Sequence, residues 1–185
     1  MTNNLSVREI QKTDFESIVD YFLKADHAFL HGMGVDTAKL PKRQDWLDIL
    51  NKNFIAPIEK KQFFYVIWQI DHQPVGHSNI NKIIYGEEAY MHLHLWNKQS
   101  RQNGMGLTLL QMTLPYYFDR FRLKKLYCEP SASNPAPNKT LEKIDFEFIK
   151  SYETMPGWIN YYQKVNKWCL TKDKFRLISR NDIQV

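Results

Sequence analysis

The chain lacks, or nearly lacks, the sequence features that define several protein classes. Its 185 residues include only two cysteines, Cys128 and Cys169, which are too few for a disulfide framework and lack the spacing of a metal site. The longest apolar run, 63–70, is interrupted by Gln69 and falls far short of the roughly 20 residues of a membrane span. The first residues lack the basic start and the apolar run of a signal peptide. We therefore expect a cytoplasmic protein with reduced thiols, no metal and no membrane association.

The charge of the chain is moderately basic. There are 25 Lys and Arg residues against 20 Asp and Glu, a formal net charge of +5. No arginine-rich arm or zinc-finger motif accompanies the scattered basic residues, so we expect no nucleic-acid partner. An anionic small ligand would explain the charge, and so would a solvated basic face. The 43% of hydrophobic residues is enough for one core, which predicts a single domain over residues 1–185.

Hydrophobic periodicity predicts a mixed order of strands and helices. A first strand over 5–10 precedes a helix for which Thr13 and Glu16 form a capping box. The segment 31–34 is expected to end this helix, and a second helical region lies over 46–54. Further strands are predicted over 63–70, 75–85, 89–96, 125–129, 147–153 and 160–171, and a short helix over 138–144. This order favours an α/β (α+β) fold with a mixed sheet flanked by helices.

The longest predicted helix follows the third strand of the central meander. Its buried stripe runs from Leu107 to Phe121 at helical spacing. Pro115 lies inside that stripe and is expected to kink or divide the helix, because proline lacks the N–H of the helical ladder.

The loop before this helix has the composition of a phosphate site. Gly104 and Gly106 follow a strand and precede a helix, so they allow tight backbone angles and close approach by a ligand. The amides and the dipole at the start of the helix attract a phosphate or pyrophosphate. Glycine is also the usual residue of an ordinary tight turn, and that reading stays open for the two glycines alone.

Two motifs together resemble the GCN5-related N-acetyltransferase (GNAT) superfamily. Arg101-x-x-Gly104-x-Gly106 is similar to its acyl-CoA loop, and the segment from Asn134 to Phe146, which contains Glu142-Lys143, is similar to its second signature. The resemblance spans almost the whole chain, since the flanking elements also come in the family's order. It implies a single GNAT-like domain with a mixed, mostly antiparallel sheet, and acetyl-CoA as cosubstrate without a metal.

The resemblance also assigns positions to the cosubstrate. The backbone near the end of the third strand would contact the pantetheine arm, and Asn134 would lie beside the thiol. Two departures matter, since Leu141 stands where the family often has a tyrosine acid and Asp145 stands where it has a glycine. The latter predicts a turn that differs in detail. The implied cofactor-binding residues are Leu95, Trp96, Arg101, Gln102, Asn103, Gly104, Met105, Gly106, Leu107 and Asn134.

Candidate catalytic groups come from the strand that leads to the loop. Strand alternation places Tyr90, His92, His94 and Trp96 on one face. His92 and His94 are the candidate general bases because histidine titrates near neutral pH, and His92 also matches a histidine position of the arylalkylamine acetyltransferases in the superfamily. Both could equally be structural residues on a half-buried face.

Other side chains are weaker candidates for the chemistry. Glu129, on the neighbouring predicted strand, is a second base candidate. Tyr127, Tyr161 and Tyr162 are candidate proton donors to the leaving thiolate. A backbone N–H near Leu95 or Trp96 would stabilise the oxyanion.

The predicted function is transfer of an acetyl group from acetyl-CoA to a primary amine of a small molecule or peptide, by direct attack in a ternary complex. The alternative is a catalytically inactive CoA-binding regulatory module, which Leu141 and Asp145 keep open. A homodimer is possible by analogy with the family. No acceptor motif is present, and fold analogy alone does not choose the acceptor.

Overall fold

The computed structural model describes residues 4–96 and 104–181, with side chains to residue 178. Three predicted cofactor-binding residues, Arg101, Gln102 and Asn103, lie outside the described residues. The strands are β1 (Leu5–Glu9), β2 (Phe63–Ile70), β3 (Gln73–Ile84), β4 (Glu88–Leu95), β5 (Lys125–Cys128), β6 (Glu147–Thr154) and β7 (Gln163–Thr171).

Six α-helices are described. They are α1 (Phe15–Leu23), α2 (His27–Gly32), α3 (Arg43–Phe54), α4 (Met105–Arg120), α5 (Pro135–Lys143) and α6 (Lys172–Asn181). Short 3₁₀ turns cover Lys12–Asp14, Thr37–Lys39 and Ile58–Lys60.

The seven strands form one sheet in the order β1-β2-β3-β4-β5-β7-β6. Every described pairing is antiparallel except that of β4 with β5, which is parallel. The prediction of a mixed, mostly antiparallel sheet flanked by helices is therefore confirmed. Both cysteines are buried and unbridged.

Each face of the sheet carries its own apolar cluster. On one face, α4 packs Leu110, Tyr117 and Phe118 against the central strands. On the other face, Phe22 of α1 and Trp46 of α3 form the second cluster with their neighbours. The helices α1–α3 therefore cover one face of β3 and β4, and α4 covers the opposite face.

Several local predictions were wrong. The first helical segment starts as a 3₁₀ turn with Gln11, not Thr13, as its N-cap. The Asp14 carboxylate accepts the Gln11 N–H at 2.7 Å and pairs with Arg8. The segment 31–34 does not end α1, since the separate helix α2 intervenes. Pro115 does not divide α4, which continues because buried side chains on both sides of Pro115 hold it against the sheet.

The last described element is a helix, whereas a strand was expected. Helix α6 begins at Lys172, directly after β7, and was not predicted. Helix α5 also starts three residues earlier than expected, at Pro135, because Asn134 is its N-cap and proline suits the first helical position.

Helix α5 ends in a Schellman motif. The Phe146 N–H donates to Leu141 O at 3.0 Å, and the Asp145 N–H donates to Glu142 O at 3.0 Å. Asp145 takes the left-handed conformation, with φ of 62°, that a glycine supplies at this position. Asp145 thus adopts a conformation that a glycine adopts without strain, and the cost falls on the backbone of Asp145.

We expect Asp145→Gly to raise the free energy of unfolding by about 0.5–1 kcal/mol, because relief of the left-handed strain outweighs the added entropy of the unfolded chain. Thermal unfolding of both proteins measures the effect as a rise in Tm of a few degrees. Asp119→Gly, in the right-handed helix α4, should lower Tm and serves as the control of opposite sign. A lower Tm for Asp145→Gly would contradict the strain argument.

Candidate functional site

The sheet opens between β4 and β5. Their parallel pairing runs only from Glu88–Lys125 to Met91–Cys128, whereas β4 continues to Leu95. A cavity of about 550 Å³ lies at this opening. Its lining includes the two glycines that begin α4 at one end and the histidines of β4 at the other.

The glycine end of the cavity has open space beside its backbone. Gly104 is the N-cap of α4 in the left-handed conformation, with φ of 68°. A Cβ added to Gly104 or Gly106 would meet no atom of the described residues 4–96 and 104–181 within 4 Å. The first positions of an α-helix leave N–H groups without an intrahelical acceptor, and the first turn of α4 contains no acidic residue. These features suit a pyrophosphate, and its predicted position at Gly104 to Gly106 stays a prediction.

The predicted amide donors are not all available. The Leu107 N–H donates to Gly104 O at 3.1 Å, so this amide is already used within the turn. The Trp96 N–H donates to Val75 O on β3 at 2.9 Å, which removes it as the predicted oxyanion or pantetheine donor. In an antiparallel strand, the N–H and C=O groups of successive residues point to alternate edges. Those of Leu93 and Leu95 therefore point away from β3, toward β5. The Trp96 N–H is therefore already engaged within the sheet, and the pantetheine assignment at Leu95 stays a prediction.

Asn134 lies at the cavity as the cap of α5, with its Oδ1 accepting the Ala136 N–H at 3.3 Å. Asn138, one turn later, holds the helix in place. Its Nδ2 donates to Asn134 O at 2.7 Å, and its Oδ1 accepts the indole N–H of Trp168 at 2.9 Å. The helix start beside the cavity is thus anchored to β7 by a side chain that sequence analysis did not single out.

Four polar residues form a patch at the catalytic end, here called the histidine patch. His77 and Asn79 of β3 pair in register with His94 and His92 of β4, respectively. All four line the cavity, and the His77 and His94 rings are 4.7 Å apart. His92 and His94 share a face of the sheet, as predicted, and β3 adds His77 and Asn79 to the same patch. His77 was missed, although the alternation His77-Ser-Asn79 in the predicted strand was a usable signal.

Several polar atoms at the patch have no hydrogen-bond partner among the described residues. They are His77 Nε2, His92 Nε2 and Asn81 Oδ1, and all three residues line the same cavity. The indole N–H of Trp96 donates to His77 Nδ1 at 2.8 Å, so a neutral His77 ring carries its proton on Nε2. Buried polar atoms without partners call for an explanation, and a bound substrate in the cavity would supply the partners.

Two histidines of the patch, His77 and His92, are held in the neutral state. Burial lowers the pKa of His92 to about 4, and the charge of Lys82 adds to the effect. Burial also holds the pKa of His77 well below its ordinary value, with further contributions from His94 and His92. Both rings are therefore uncharged at neutral pH. The position of His92 is fixed from the opposite face, where Tyr117 donates to Ser78 Oγ and Ser78 donates to His92 O, each at 2.8–2.9 Å.

Glu129 follows β5 and also lines the cavity. Its carboxylate accepts a hydrogen bond from Tyr152 and lies 3.9 Å from Lys167 Nζ. Lys167 also donates to the Tyr90 hydroxyl at 2.8 Å. The carboxylate is therefore buried and already engaged by two side chains of the neighbouring strands.

The predicted tyrosine donors do not reach the cavity. Tyr161 donates its hydroxyl to His31 O at 2.8 Å, Tyr162 is 66% exposed, and Tyr127 packs against Lys167. None of these three is in the described lining of the cavity. Leu141, at the family's tyrosine position, is fully buried in the core.

The described residues hold neither a metal-binding cluster nor a membrane-spanning helix. Within residues 4–96 and 104–181, no cluster of three or more His, Cys, Asp or Glu side chains is arranged to hold a metal ion. In the same part of the chain, no helix is both long and apolar enough to span a membrane.

Comparisons with known proteins agree on one family. The model of the acetyltransferase (GNAT) domain matches residues 4–147, and a search of curated proteins gives no match. Similar solved structures include the spermidine N-acetyltransferase of Vibrio cholerae with coenzyme A and spermine, at 16% identity over 93% of this chain and 98% of that one, with a TM-score of 0.75. The ribosomal-protein α-N-acetyltransferase RimL with coenzyme A gives 15% identity, 94% and 97% coverage and a TM-score of 0.74. An aminoglycoside acetyltransferase with coenzyme A is 14% identical over 94% of this chain and 98% of that one, with a TM-score of 0.71.

Proposed function

The chain belongs to the GNAT acetyltransferase family and is an acetyl-CoA-dependent N-acetyltransferase, and we propose that it passes the acetyl group directly to a primary amine in a ternary complex. The observation that supports this proposal is the single cavity that joins the glycines of α4 to the histidine patch. Because both reactants would meet in one cavity, proximity and orientation supply a large part of the rate.

The cosubstrate half of the cavity is assigned to three groups of this chain. We propose that Gly104, Met105 and Gly106 hold the pyrophosphate at the start of α4, where a ligand can approach the backbone. The edge of β4 at Leu95 then faces the pantetheine arm, and Asn134 lies beside it. Bound acetyl-CoA supplies the activated acetyl group.

His92 is the proposed general base. Its Nε2 has no partner among the described residues and belongs to a cavity-lining side chain. As the C–N bond forms and the C–S bond breaks, the proton on the attacking nitrogen passes to His92 Nε2. A lowered pKa keeps the ring neutral at neutral pH. In the tautomer that carries its hydrogen on Nδ1, the Nε2 atom can accept a proton, although the ring is a weaker base than an ordinary histidine. His94 and the paired carboxylate of Glu129 are the alternative bases.

The acceptor is a small-molecule or peptide amine. The similar structures bear names with different acceptors, namely spermidine, a ribosomal protein and an aminoglycoside, so their likeness does not choose among amines. We also propose a single domain in the cytoplasm. Edge strand β6, which exposes Phe148 and Ile149, supports the homodimer that the family suggests.

The test is calorimetric titration of acetyl-CoA into the protein, followed by an assay of CoA release on a panel of primary amines. We expect stoichiometric binding and release of CoA that depends on the amine. Binding without CoA release on any amine would favour the inactive CoA-binding module. Leu141 supports that alternative, because it replaces the family's frequent tyrosine acid with a buried apolar side chain. Absence of acetyl-CoA binding would refute the enzymatic proposal.

A further inference from the structure

We propose that the acceptor is a small amine with one positive charge carried on a flat aromatic body. This inference rests on the proposed function and adds the chemical class of the second substrate. It is carried by the side chains that line the cavity around the histidine patch.

The acceptor end of the cavity is walled by rings. Tyr21 and Phe22 of α1, Phe29 of α2, Trp46 of α3 and Trp158 all line it. The rings lie edge to face or tilted, with centroids 5.2 Å apart for Phe22 and Trp46 and 6.1 Å apart for Trp46 and Trp158. Such walls bind an aromatic body through apolar burial and ring–ring contacts.

The same lining carries very little charge. Among its described residues, the acid is Glu129 and the basic side chain outside the histidines is Lys143. Glu129 is already engaged by Tyr152 and Lys167. A polyamine or an aminoglycoside carries several positive charges, and each would need a carboxylate to offset its desolvation. The cavity therefore disfavours a polycation and accommodates a single amino group.

The neutral histidines fit the same class of substrate. Attack requires the uncharged amine, and an apolar surrounding lowers the pKa of a buried ammonium group. His77 and His92 add no charge at neutral pH because burial holds their pKa values low. The polar atoms of the histidine patch then serve the one amino group, and the rings surround the rest of the molecule.

The rim of the acceptor end is formed before any substrate binds. Gly34 O accepts hydrogen bonds from Asn160 Nδ2 at 2.9 Å and from Gln163 Nε2 at 3.2 Å. A Cβ at Gly34 would lie only 1.9 Å from Gln163, so the two segments are in close contact. This connection joins the end of α2 to the segment that carries Trp158, and it fixes the width of the rim.

The test compares three acceptors at saturating acetyl-CoA: 2-phenylethylamine, n-propylamine and spermidine. We expect kcat/KM to be about 10- to 100-fold higher for 2-phenylethylamine than for n-propylamine, the gain from burying one ring. Spermidine should be the poorest of the three. Trp158→Ala should reduce the ratio between the first two amines about tenfold, chiefly through KM, and Trp158→Phe should restore most of it.

Tyr162→Ala is the matched control, because Tyr162 is an exposed ring close by in sequence that does not line the cavity. It should leave the ratio unchanged. Equal or better kcat/KM for n-propylamine or spermidine would overturn the inference about the acceptor, and so would a ratio that Trp158→Ala does not alter. A wild-type protein that binds no acetyl-CoA, or transfers to no amine, would overturn the proposed function as well.

Discussion

An aspartate in place of Gly106 or Gly104 is expected to abolish acetyl-CoA binding. Both glycines line the cavity, and a Cβ at either would meet no atom of the described part of the chain within 4 Å. The new carboxylate would therefore occupy the space proposed for the pyrophosphate. Two like charges about 4 Å apart at an effective dielectric constant near 20 repel by about 4 kcal/mol, which corresponds to roughly a 10³-fold loss of affinity.

Gly86→Asp provides the matched control for Gly104→Asp. Gly86 has φ of 80°, close to the 68° of Gly104, and its Cβ would likewise meet no atom. The two variants therefore share the backbone strain and the added charge, but Gly86 is not in the cavity lining. Calorimetry should give wild-type affinity for Gly86→Asp and no detectable binding for Gly104→Asp. Unchanged binding in both cavity variants would move the cosubstrate away from α4.

The second large effect concerns His92. We expect His92→Gln to lower kcat by about 10²- to 10⁴-fold, the usual contribution of a general base, with little change in acetyl-CoA affinity. The wild-type kcat should also show its acid limb near pH 4. The lowered pKa of His92 means that its ring becomes protonated, and so inactive as a base, only as the pH falls toward 4. A histidine with an ordinary pKa would lose activity near pH 6.5.

Steady-state assays on His92→Gln, His94→Gln and Glu129→Gln separate the three base candidates. His72→Gln is the control, because His72 is an exposed residue of the turn between β2 and β3. A wild-type kcat in His92→Gln, together with a large loss in one of the other two, would transfer the role to that residue.

The periodicity of the sequence was sufficient to predict the sheet and its layers. Alternation along β4 placed His92 and His94 together, and the glycine pair located the start of α4. Helix α6 escaped prediction because it follows β7 at Lys172 without a turn residue between them. Helix α2 escaped because it is only six residues long, too short for a periodic stripe.

The remainder of the site depends on contacts between distant segments. His77 meets His94 through the register of β3 and β4, and periodicity within one strand carries no information about register. The hydrogen bond from Tyr152 to Glu129 joins different strands. The Trp96 N–H likewise donates to Val75 O, which is distant in sequence. This bond engages one of the predicted backbone donors.

The early end of the β4–β5 pairing has a consequence for divergence within the family. A cleft formed by two separating strands and a helix start offers main-chain groups, which nearly every amino acid provides equally well. Mutations can therefore accumulate around the cosubstrate half without abolishing binding, provided that small residues remain where the ligand touches the backbone. The acceptor half is built from side chains and changes with each substitution. If the two halves are assigned as proposed, a shared acetyl donor is compatible with low sequence identity and with different acceptors.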